Sequence, residues 1–426
     1  MIGPMDFLYT AVAILGSPLW LYRLLRTGKW RTDWLGRFGY CQRAHDDHGH
    51  QRTLLIHAVS VGEVNSIRLL VEKLRQKVDG LRIVVSVTTD TGILRAHQLY
   101  DMDCSVVRYP FDWSCCVERF LDEVRPDGVA LVENEVWPNF IRSCVRRSIP
   151  VCILNARLTE HSFSWYRRSG SIARGMYSRL AKVAAQTEAD ARRFSELGTP
   201  RAAVCVYDTM KWDTAEIVDE VAGVDELATA MGINRTRPVV VLGSTGDSEE
   251  KLLLEALGRK LDPKVQLVFV PRKPERFDEV ARILGPDVAR RSRSSGALRG
   301  ISDDGRIFLI DTMGELRKAY ALADVVVVGR SFNGWGGSDP IEPVGLGCPV
   351  IIGPDHQNFS DVVAALVAGD GLVLAQTADQ AAEHINLLLA NRQQASDLAD
   401  KGRQVIRERQ GATDRYAHLV LEMIGV

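Results

Sequence analysis

The chain has 426 residues, and its 53 lysines and arginines against 54 aspartates and glutamates give a formal net charge of −1. This length predicts two or three domains of ordinary size, and a composition of 46% hydrophobic and 25% charged residues excludes disordered and fibrous proteins. The balanced charge argues against a dedicated nucleic-acid-binding protein, which would carry a basic excess.

The first segment is apolar. Residues 7–22 carry no formal charge, and Arg23, Arg26, Lys29 and Arg31 follow. A membrane-spanning helix needs about 20 apolar residues, so this shorter stretch, which contains Pro18, favours a helix anchored in or lying on the inner leaflet. We therefore expect residues 1–31 to form a hydrophobic anchor with a basic collar. A buried helix of a soluble fold is the alternative.

The cysteines and histidines do not predict a metal site. None of the eight cysteines forms a C-x-x-C pair, which argues against a zinc or redox framework and favours a reducing cytosol. His45, His48 and His50 lie among charged residues typical of a solvated turn, so we expect no metal there.

Short apolar strands then alternate with amphipathic helices, a pattern typical of parallel sheets covered by helices. This alternation predicts a Rossmann-like domain over residues 32–212, with helices such as Glu63–Lys77 and Trp113–Val124. The predicted strands are Thr53–Ala58, Arg82–Thr88, Gly128–Glu133, Pro150–Asn155, Lys182–Gln186 and Ala203–Tyr207.

An acidic, then helical stretch over residues 213–237 predicts a linker, after which the alternation restarts in a second Rossmann-like domain, 238–426. Its last helix, Asp414–Met423, is a candidate to cross back onto the first domain. The second set of predicted strands is Pro238–Gly243, Gln266–Pro271, Arg306–Ile310, Asp324–Gly329, Pro349–Gly353 and Gly371–Leu374.

Polar residues follow the predicted strands of the first domain. Gly62 would allow a tight turn, and the helix start beside it offers free N–H groups to an anion. Carboxylates at a strand end bind hydroxyl groups, cap a helix or, less often, act in catalysis. The residues concerned are Ser60, Gly62, Glu63, Thr89, Gly92, Glu133 and Glu135.

Glycines and cations follow the strands of the second domain. A glycine-rich loop before a helix that starts with proline and glutamate is typical of a nucleotide site, where amides hold phosphate and a carboxylate holds ribose hydroxyls. The residues concerned are Arg272, Met313, Gly314, Glu315, Gly336, Gly337, Pro340 and Glu342.

An ordered series of these motifs resembles the 3-deoxy-D-manno-octulosonic acid (Kdo) transferases, glycosyltransferases of lipopolysaccharide assembly. The resemblance runs nearly end to end. The motifs are Arg37-Phe38-Gly39, Val59–Glu63, Glu133–Asn139, Asn155–Leu158, Lys211-Trp212-Asp213, Pro271–Phe277, Asp311–Leu316, Gly336-Gly337 with Pro340 and Glu342, and Gly353-Pro354 with Asn358-Phe359.

The resemblance implies a GT-B fold, in which two Rossmann-like domains face a central cleft. It also implies an inverting transfer from a CMP-Kdo donor to a lipid A precursor at the cytoplasmic face of the inner membrane, with no cofactor. In the donor site, Arg272, the amides of Met313 and Gly314, and the Gly336-Gly337 loop would stabilise the leaving phosphate, and Glu342 would hold the ribose. Ser60, Gly62, Glu63 and Lys211 would lie between donor and acceptor.

The chain departs from the family pattern inside several motifs. Gly36 stands where the family has the glutamate taken as the catalytic base, so Asp33, Glu63 and Asp208 are the candidate bases. The other departures are Asp208, Gly246, Lys273, Ser338 and Asp339. Two alternatives therefore remain open: a GT-B transferase that uses another nucleotide sugar, and a non-catalytic paralogue that binds CMP-sugar or lipid.

Overall fold

A computed structural model describes residues 3–27, 32–41, 52–293 and 306–426. The chain divides into two compact units: the first ends at Asp213 but also contains Gly411–Val426, and the second is Thr214–Gln410. Each unit is built on a seven-stranded sheet whose paired strands are parallel. His45, His48, His50, Lys29 and Arg31 lie outside the described residues.

The first unit has the strand order β3-β2-β1-β4-β5-β6-β7. Its strands are β1 Arg52–Ala58, β2 Leu81–Val87, β3 Ser105–Arg108, β4 Gly128–Val132, β5 Val151–Ala156, β6 Lys182–Ala185 and β7 Val204–Val206. Its helices, before the chain leaves the unit, are α1 Pro4–Thr27, α2 Trp34–Arg37, α3 Val61–Ser66, α4 Arg68–Lys77, α5 Asp90–Tyr100, α6 Ser114–Val124, α7 Pro138–Arg146, α8 Glu160–Arg168, α9 Ser171–Tyr177 and α10 Glu188–Glu196.

The second unit has the strand order β10-β11-β9-β8-β12-β13-β14. Its strands are β8 Val239–Thr245, β9 Gln266–Pro271, β10 Ala289–Arg290, β11 Ile307–Leu309, β12 Val325–Val328, β13 Val350–Ile352 and β14 Val373–Leu374. Its helices are α11 Val224–Met231, α12 Glu249–Lys260, α13 Phe277–Leu284, α14 Leu316–Leu322, α15 Ile341–Gly345, α16 Ser360–Ala368, α17 Ala378–Ala390 and α18 Arg392–Arg409; α19 Ala412–Ile424 returns to the first unit.

Alternate residues of β1 enter different cores, which explains the nearly continuous apolar strands. Leu54 and Ile56 belong to one buried cluster, whereas Leu55 belongs to another on the opposite face of the sheet. Both faces of this sheet are therefore covered, as expected for parallel strands with helical crossovers.

Helix α19 completes the first unit. Tyr416, Val420 and Ile424 are buried in the cluster that contains Leu54 and Ile56. The carboxylate of Asp213 caps the helix, because it accepts hydrogen bonds of 2.6 Å from the backbone N–H groups of Gly411 and Thr413. The last helix thus packs on the first unit.

Helix α1 is docked on the first unit at its N-terminal end. The buried carboxylate of Asp6 accepts a 2.8 Å hydrogen bond from the backbone N–H of Ser114 and a 3.0 Å bond from Asn139 Nδ2, and Tyr9 Oη donates to Asp112 Oδ2 at 2.8 Å. Another face is exposed, with Phe7 at 71% and Leu15 at 82%. In the described part of the chain, no helix is both long enough and apolar enough to cross a bilayer.

Some predicted boundaries are wrong. The predicted helix Glu63–Lys77 is broken at Ile67 into α3 and α4, and the predicted linker 213–237 contains α11 and belongs to the second unit after Asp213. Strands β3 and β10 were not predicted, since Ser105–Arg108 and Ala289–Arg290 each contain at most two consecutive apolar residues and end in arginine.

Candidate functional site

Two sets of strand ends carry the predicted site residues, one in each unit. In the first unit, β1 lies between β2 and β4, so the loops after these three strands share one edge of the sheet. Ser60 Oγ caps α3 by accepting the Glu63 N–H at 3.4 Å, and it donates to Glu63 Oε1 at 2.9 Å. Glu63 Oε2 accepts the Val59 N–H at 2.8 Å, so the arrangement is similar to a capping box and holds the Glu63 carboxylate at the helix start.

Burial raises the pKa of Glu63 to about 7, and the negative charges of Glu133 and Glu135 raise it further. The hydrogen bonds from Val59 and Ser60 act in the opposite direction and lower this pKa. Burial also raises the pKa of Glu135, whose Oε2 accepts a 3.1 Å hydrogen bond from Trp137 Nε1. The loop after β4 therefore contributes negative charge to the same edge as Glu63. A carboxylate with a pKa near neutrality is suited to proton transfer.

Thr89 and Gly92 have structural roles. Thr89 caps α5 by accepting from the Gly92 N–H at 3.2 Å, and its hydroxyl donates to the Val59 carbonyl at 2.8 Å. A Cβ at Gly92 would lie 2.8 Å from a methyl group of Val87, so only glycine fits. Gly62, by contrast, lies within α3, and a Cβ there would meet only Ser60 Oγ at 3.7 Å. The prediction that Gly62 permits a tight turn is wrong.

Two arginines border the end of β2. Arg37 Nη2 and Arg108 Nη1 both donate to the Thr88 carbonyl at 2.9 Å, and Arg108 Nη2 donates to Asp90 Oδ1 at 2.7 Å. Burial lowers the pKa of Arg37, and the positive charge of Arg108 lowers it further. These cations favour a negatively charged group at this edge.

Asp33 precedes Gly36 by three residues, and the two residues are in contact. Asp33 Oδ1 caps α2 by accepting the Gly36 N–H at 2.9 Å, and the side chain is exposed. A Cβ at Gly36 would overlap Asp33 Oδ2 and would lie 2.6 Å from Arg108 Cβ. The carboxylate of Asp33 thus occupies the space into which a side chain at position 36 would project.

Asp208 lies in the turn after β7, an edge strand of the sheet. This turn reaches back to β5, because the Met210 N–H donates to Asn155 Oδ1 at 3.3 Å. Asp208 Oδ1 accepts hydrogen bonds from the Thr209 N–H at 2.8 Å and from Trp212 Nε1 at 3.0 Å. The carboxylate therefore holds the turn that contains Lys211.

In the second unit, cations gather after β9 and β12, the two neighbours of β8. The side chain of Arg272 is exposed, and burial together with the charge of Arg272 lowers the pKa of Arg330. Lys273 Nζ and the Arg330 guanidinium lie 5.9 and 6.0 Å from the centre of the Trp335 ring. These cations at the carboxyl ends of parallel strands are suited to a phosphate group.

Two buried carboxylates that we did not single out from the sequence organise this edge. Glu249 accepts hydrogen bonds from the backbone N–H groups of Gly246, Arg330, Ser331 and Phe332, at 2.6–3.1 Å. Glu250 accepts two hydrogen bonds from Arg276, at 2.8 and 3.0 Å. In the sequence, what indicates these residues is a pair of adjacent glutamates at the start of a predicted helix.

The backbone of the glycine-rich loop lies close to His356 and Asn358. A Cβ at Gly336 would lie 2.6 Å from Asn358 Nδ2, and one at Gly337 would lie 3.0 Å from His356 Cα. Both glycines have a φ of +79°, which side-chain-bearing residues rarely adopt. Gly314, at +86°, has open space around it, so its conformation alone favours glycine.

The remaining predicted donor residues differ in their surroundings. Met313 is 70% exposed, whereas Glu315 pairs with Arg291 at 3.1 Å. Burial raises the pKa of Glu342, and the negative charge of Asp339 raises it further. Pro340 precedes α15 and Glu342 lies in its first turn, as the sequence predicts.

Comparison with known proteins decides the family. Residues 32–214 match the family described as 3-deoxy-D-manno-octulosonic-acid transferase, and residues 251–405 match glycosyl transferases group 1. The Kdo transferase of Bordetella pertussis is 31% identical over 422 residues, which cover 96% of each chain. The chain belongs to the Kdo transferases.

The Kdo transferase of Haemophilus influenzae is 29% identical over 97% of both chains, so the likeness includes both units. The predicted family and the prediction of a glycosyltransferase are thus confirmed.

Solved structures support the fold of this Kdo transferase. UDP-GlcNAc 2-epimerase from Neisseria meningitidis matches 87% of the chain with a TM-score of 0.57 and 13% sequence identity. MurG from Acinetobacter baumannii also matches 87% of the chain, with a TM-score of 0.54 and 14% sequence identity. At such identities the likeness concerns the fold alone. It agrees with the predicted α/β class and two parallel sheets, as in GT-B proteins.

Proposed function

We propose that this Kdo transferase moves Kdo from CMP-Kdo to a lipid A precursor, with inversion at the anomeric carbon. The observation that carries the proposal is the match to Kdo transferases over nearly the whole chain. The cations after β9 and β12 support it, because the donor's phosphate is negatively charged and so is the CMP that leaves.

In the proposed reaction, a base accepts the proton of a sugar hydroxyl on the acceptor, and that oxygen attacks the anomeric carbon of Kdo. The bond to the phosphate oxygen breaks, and CMP leaves with the electron pair. Arg272 and Arg330 stabilise the charge on the phosphate, and the amides of Met313 and Gly314 and the Gly336-Gly337 loop are the other proposed contacts. Glu342 holds the ribose hydroxyls.

Asp33 is the base that the geometry favours. Its carboxylate occupies the space at Gly36, where the family resemblance places a catalytic glutamate, and it is accessible to solvent. Glu63 is the second candidate, because its raised pKa suits proton transfer. We infer that Ser60, Thr89, Glu133 and Glu135 border the acceptor, with Arg37 attracting one of its phosphates.

We also propose that α1 rests on the cytoplasmic leaflet of the inner membrane. Phe7, Leu8, Val12, Ile14 and Leu15 are all at least half exposed on this helix, an unusual amount of apolar surface for one element. Arg26 at its end is exposed as well, and basic residues favour anionic lipid surfaces.

The test of the proposed function is to incubate the purified full chain with CMP-Kdo and a lipid A precursor. We expect release of CMP and addition of the mass of one or more Kdo units to the lipid. CMP-Kdo binding without CMP release over hours would instead indicate a non-catalytic paralogue. Binding of a UDP-sugar but not of any cytidine nucleotide would contradict the donor assignment.

A further inference from the structure

A cavity of about 270 Å³ lies in the first unit beside helix α1. Tyr9, Val12 and Ala13 of α1 form one side, and Tyr109, Phe111 and Trp113, from the segment after β3, form another. Most of its wall is therefore aromatic or aliphatic, which suits an apolar ligand.

The aromatic side of the cavity is fixed in place. Tyr109 is 4% exposed, and its ring stacks on His57 with 3.7 Å between the ring centres. The rings of Phe111 and Trp113 pack edge to face, with 5.4 Å between their centres. A wall that is already ordered loses little conformational freedom when a ligand binds.

The cavity is continuous with the edge of the sheet where we place the acceptor. Arg37 and Thr88 line it, and Arg37 donates to the Thr88 carbonyl at the end of β2. Arg37 also directly follows Gly36, beside the carboxylate of Asp33. A ligand chain in the cavity would thus extend from the place where the acceptor's sugar is expected.

We propose that this cavity binds one acyl chain of the lipid acceptor, which enters from the sheet edge at Arg37. The inference rests on the proposed function, which supplies the acylated acceptor. The first hydrocarbon segment packs between α1 and Trp113, and the carbonyl end faces Arg37. The cavity then contributes to acceptor selection, because a sugar without acyl chains does not fill it.

Ala13→Phe tests the proposal, because the larger side chain projects into the cavity from α1. Exclusion of about two methylene groups should raise KM for the acylated acceptor about tenfold, with kcat and CMP affinity unchanged. Ala11→Phe is the matched control: Ala11 is exposed on the same helix, so the same substitution leaves KM unchanged. An equal effect of both variants, or none from Ala13→Phe, would overturn the proposal.

An acceptor without acyl chains gives a second test. With a disaccharide stripped of its acyl chains, Ala13→Phe should behave as the wild type. Equal sensitivity of the stripped acceptor would show that this position acts on the sugar rather than on a chain, and would contradict the inference.

A binding measurement separates this inference from the proposed function. Dibrominated stearate should quench tryptophan fluorescence of the wild type and of Ala11→Phe more strongly than that of Ala13→Phe, since Trp113 and Trp137 line the cavity. If the wild type transfers no Kdo but this difference persists, the proposed function fails and the acyl site stands. Equal quenching in all three proteins would refute the acyl site, whatever the transferase assay shows.

Discussion

The carboxylate of Asp33 lies where a side chain at Gly36 would begin. It accepts the Gly36 N–H at 2.9 Å through Oδ1, and its Oδ2 would overlap any Cβ added at Gly36. The two positions therefore share one space, which only one acidic side chain can occupy. Our assignment of the base depends on this relationship.

Asp33→Asn should abolish most transfer while leaving donor binding intact. Asparagine still accepts the Gly36 N–H, so α2 stays capped, but it does not accept a proton from the acceptor. We expect kcat to fall about 10²–10⁴-fold, measured by CMP release, with CMP-Kdo affinity unchanged.

Glu63→Gln and Asp208→Asn are the comparisons for this experiment. The Asp208 carboxylate already accepts hydrogen bonds from the Thr209 N–H and from Trp212 Nε1, so its substitution should reduce kcat little. A loss of activity confined to Glu63→Gln would transfer the assignment to Glu63, and uniformly mild effects in all three would mean that none of them is the base.

Introduction of glutamate at Gly36 should not improve the enzyme. Any side chain there meets Arg108 Cβ at 2.6 Å and overlaps the Asp33 carboxylate, so α2 must shift. We expect Gly36→Ala and Gly36→Glu to lose activity to a similar extent in the same CMP-release assay. Higher activity of Gly36→Glu than of the wild type would show that glutamate is accommodated and acts there.

Glu63 should make the stability of the protein depend on pH. Its pKa rises from an ordinary 4.5 to about 7, so the folded chain holds this proton more tightly than the unfolded chain. The free energy of unfolding therefore falls as the pH rises from about 4.5 to about 7, on the order of 1 kcal/mol after allowance for partial exposure.

Thermal unfolding at pH 5 and pH 8 measures this effect. The decrease in the unfolding midpoint between the two pH values should be smaller for Glu63→Gln than for the wild type, since glutamine preserves the capping box without titrating. An identical decrease in both proteins would show that Glu63 titrates normally.

Removal of either cation after β9 or β12 should weaken nucleotide binding. We expect Arg272→Ala and Arg330→Ala each to lower CMP affinity about tenfold or more, because charge-assisted bonds to phosphate are stronger than neutral ones. Titration calorimetry with CMP measures the change. Arg282→Ala, at an exposed position on α13, is the matched control, and an equal loss there would contradict a local phosphate site.

Glu249→Gln should loosen the loop after β12. Glutamine has a single acceptor oxygen, so two of the four backbone N–H groups lose their partner, at about 2–6 kcal/mol in total. We expect a lower unfolding midpoint and weaker CMP binding. Glu255→Gln, exposed on the same helix, should change neither, and a normal midpoint for Glu249→Gln would show that water replaces the lost contacts.

The sequence predicts the sheets better than the site. Most strands were predicted within one or two residues, because strands such as Val239–Thr245 are apolar on both faces and end at polar or glycine residues. The capping by Ser60 and Thr89 was not predicted, although both residues are of types that commonly cap helices.

The tertiary contacts were not predictable from the sequence. The burial of Glu249 depends on a loop 81–83 residues away. The cavity beside α1 requires the docking of α1 through Asp6 and Tyr9, which lie more than 100 residues from their partners. Such relationships arise only once distant segments are packed together.

The return of α19 to the first unit has a consequence for synthesis on the ribosome. Residues 411–426 supply part of the core that contains Leu54 and Ile56, so the unit translated first cannot close that core until its last helix emerges. The inserted second unit has all its strands available earlier. During translation the second unit can therefore complete its sheet before the first unit completes its core. The apolar surface that α19 later covers is a candidate for chaperone binding in the nascent chain.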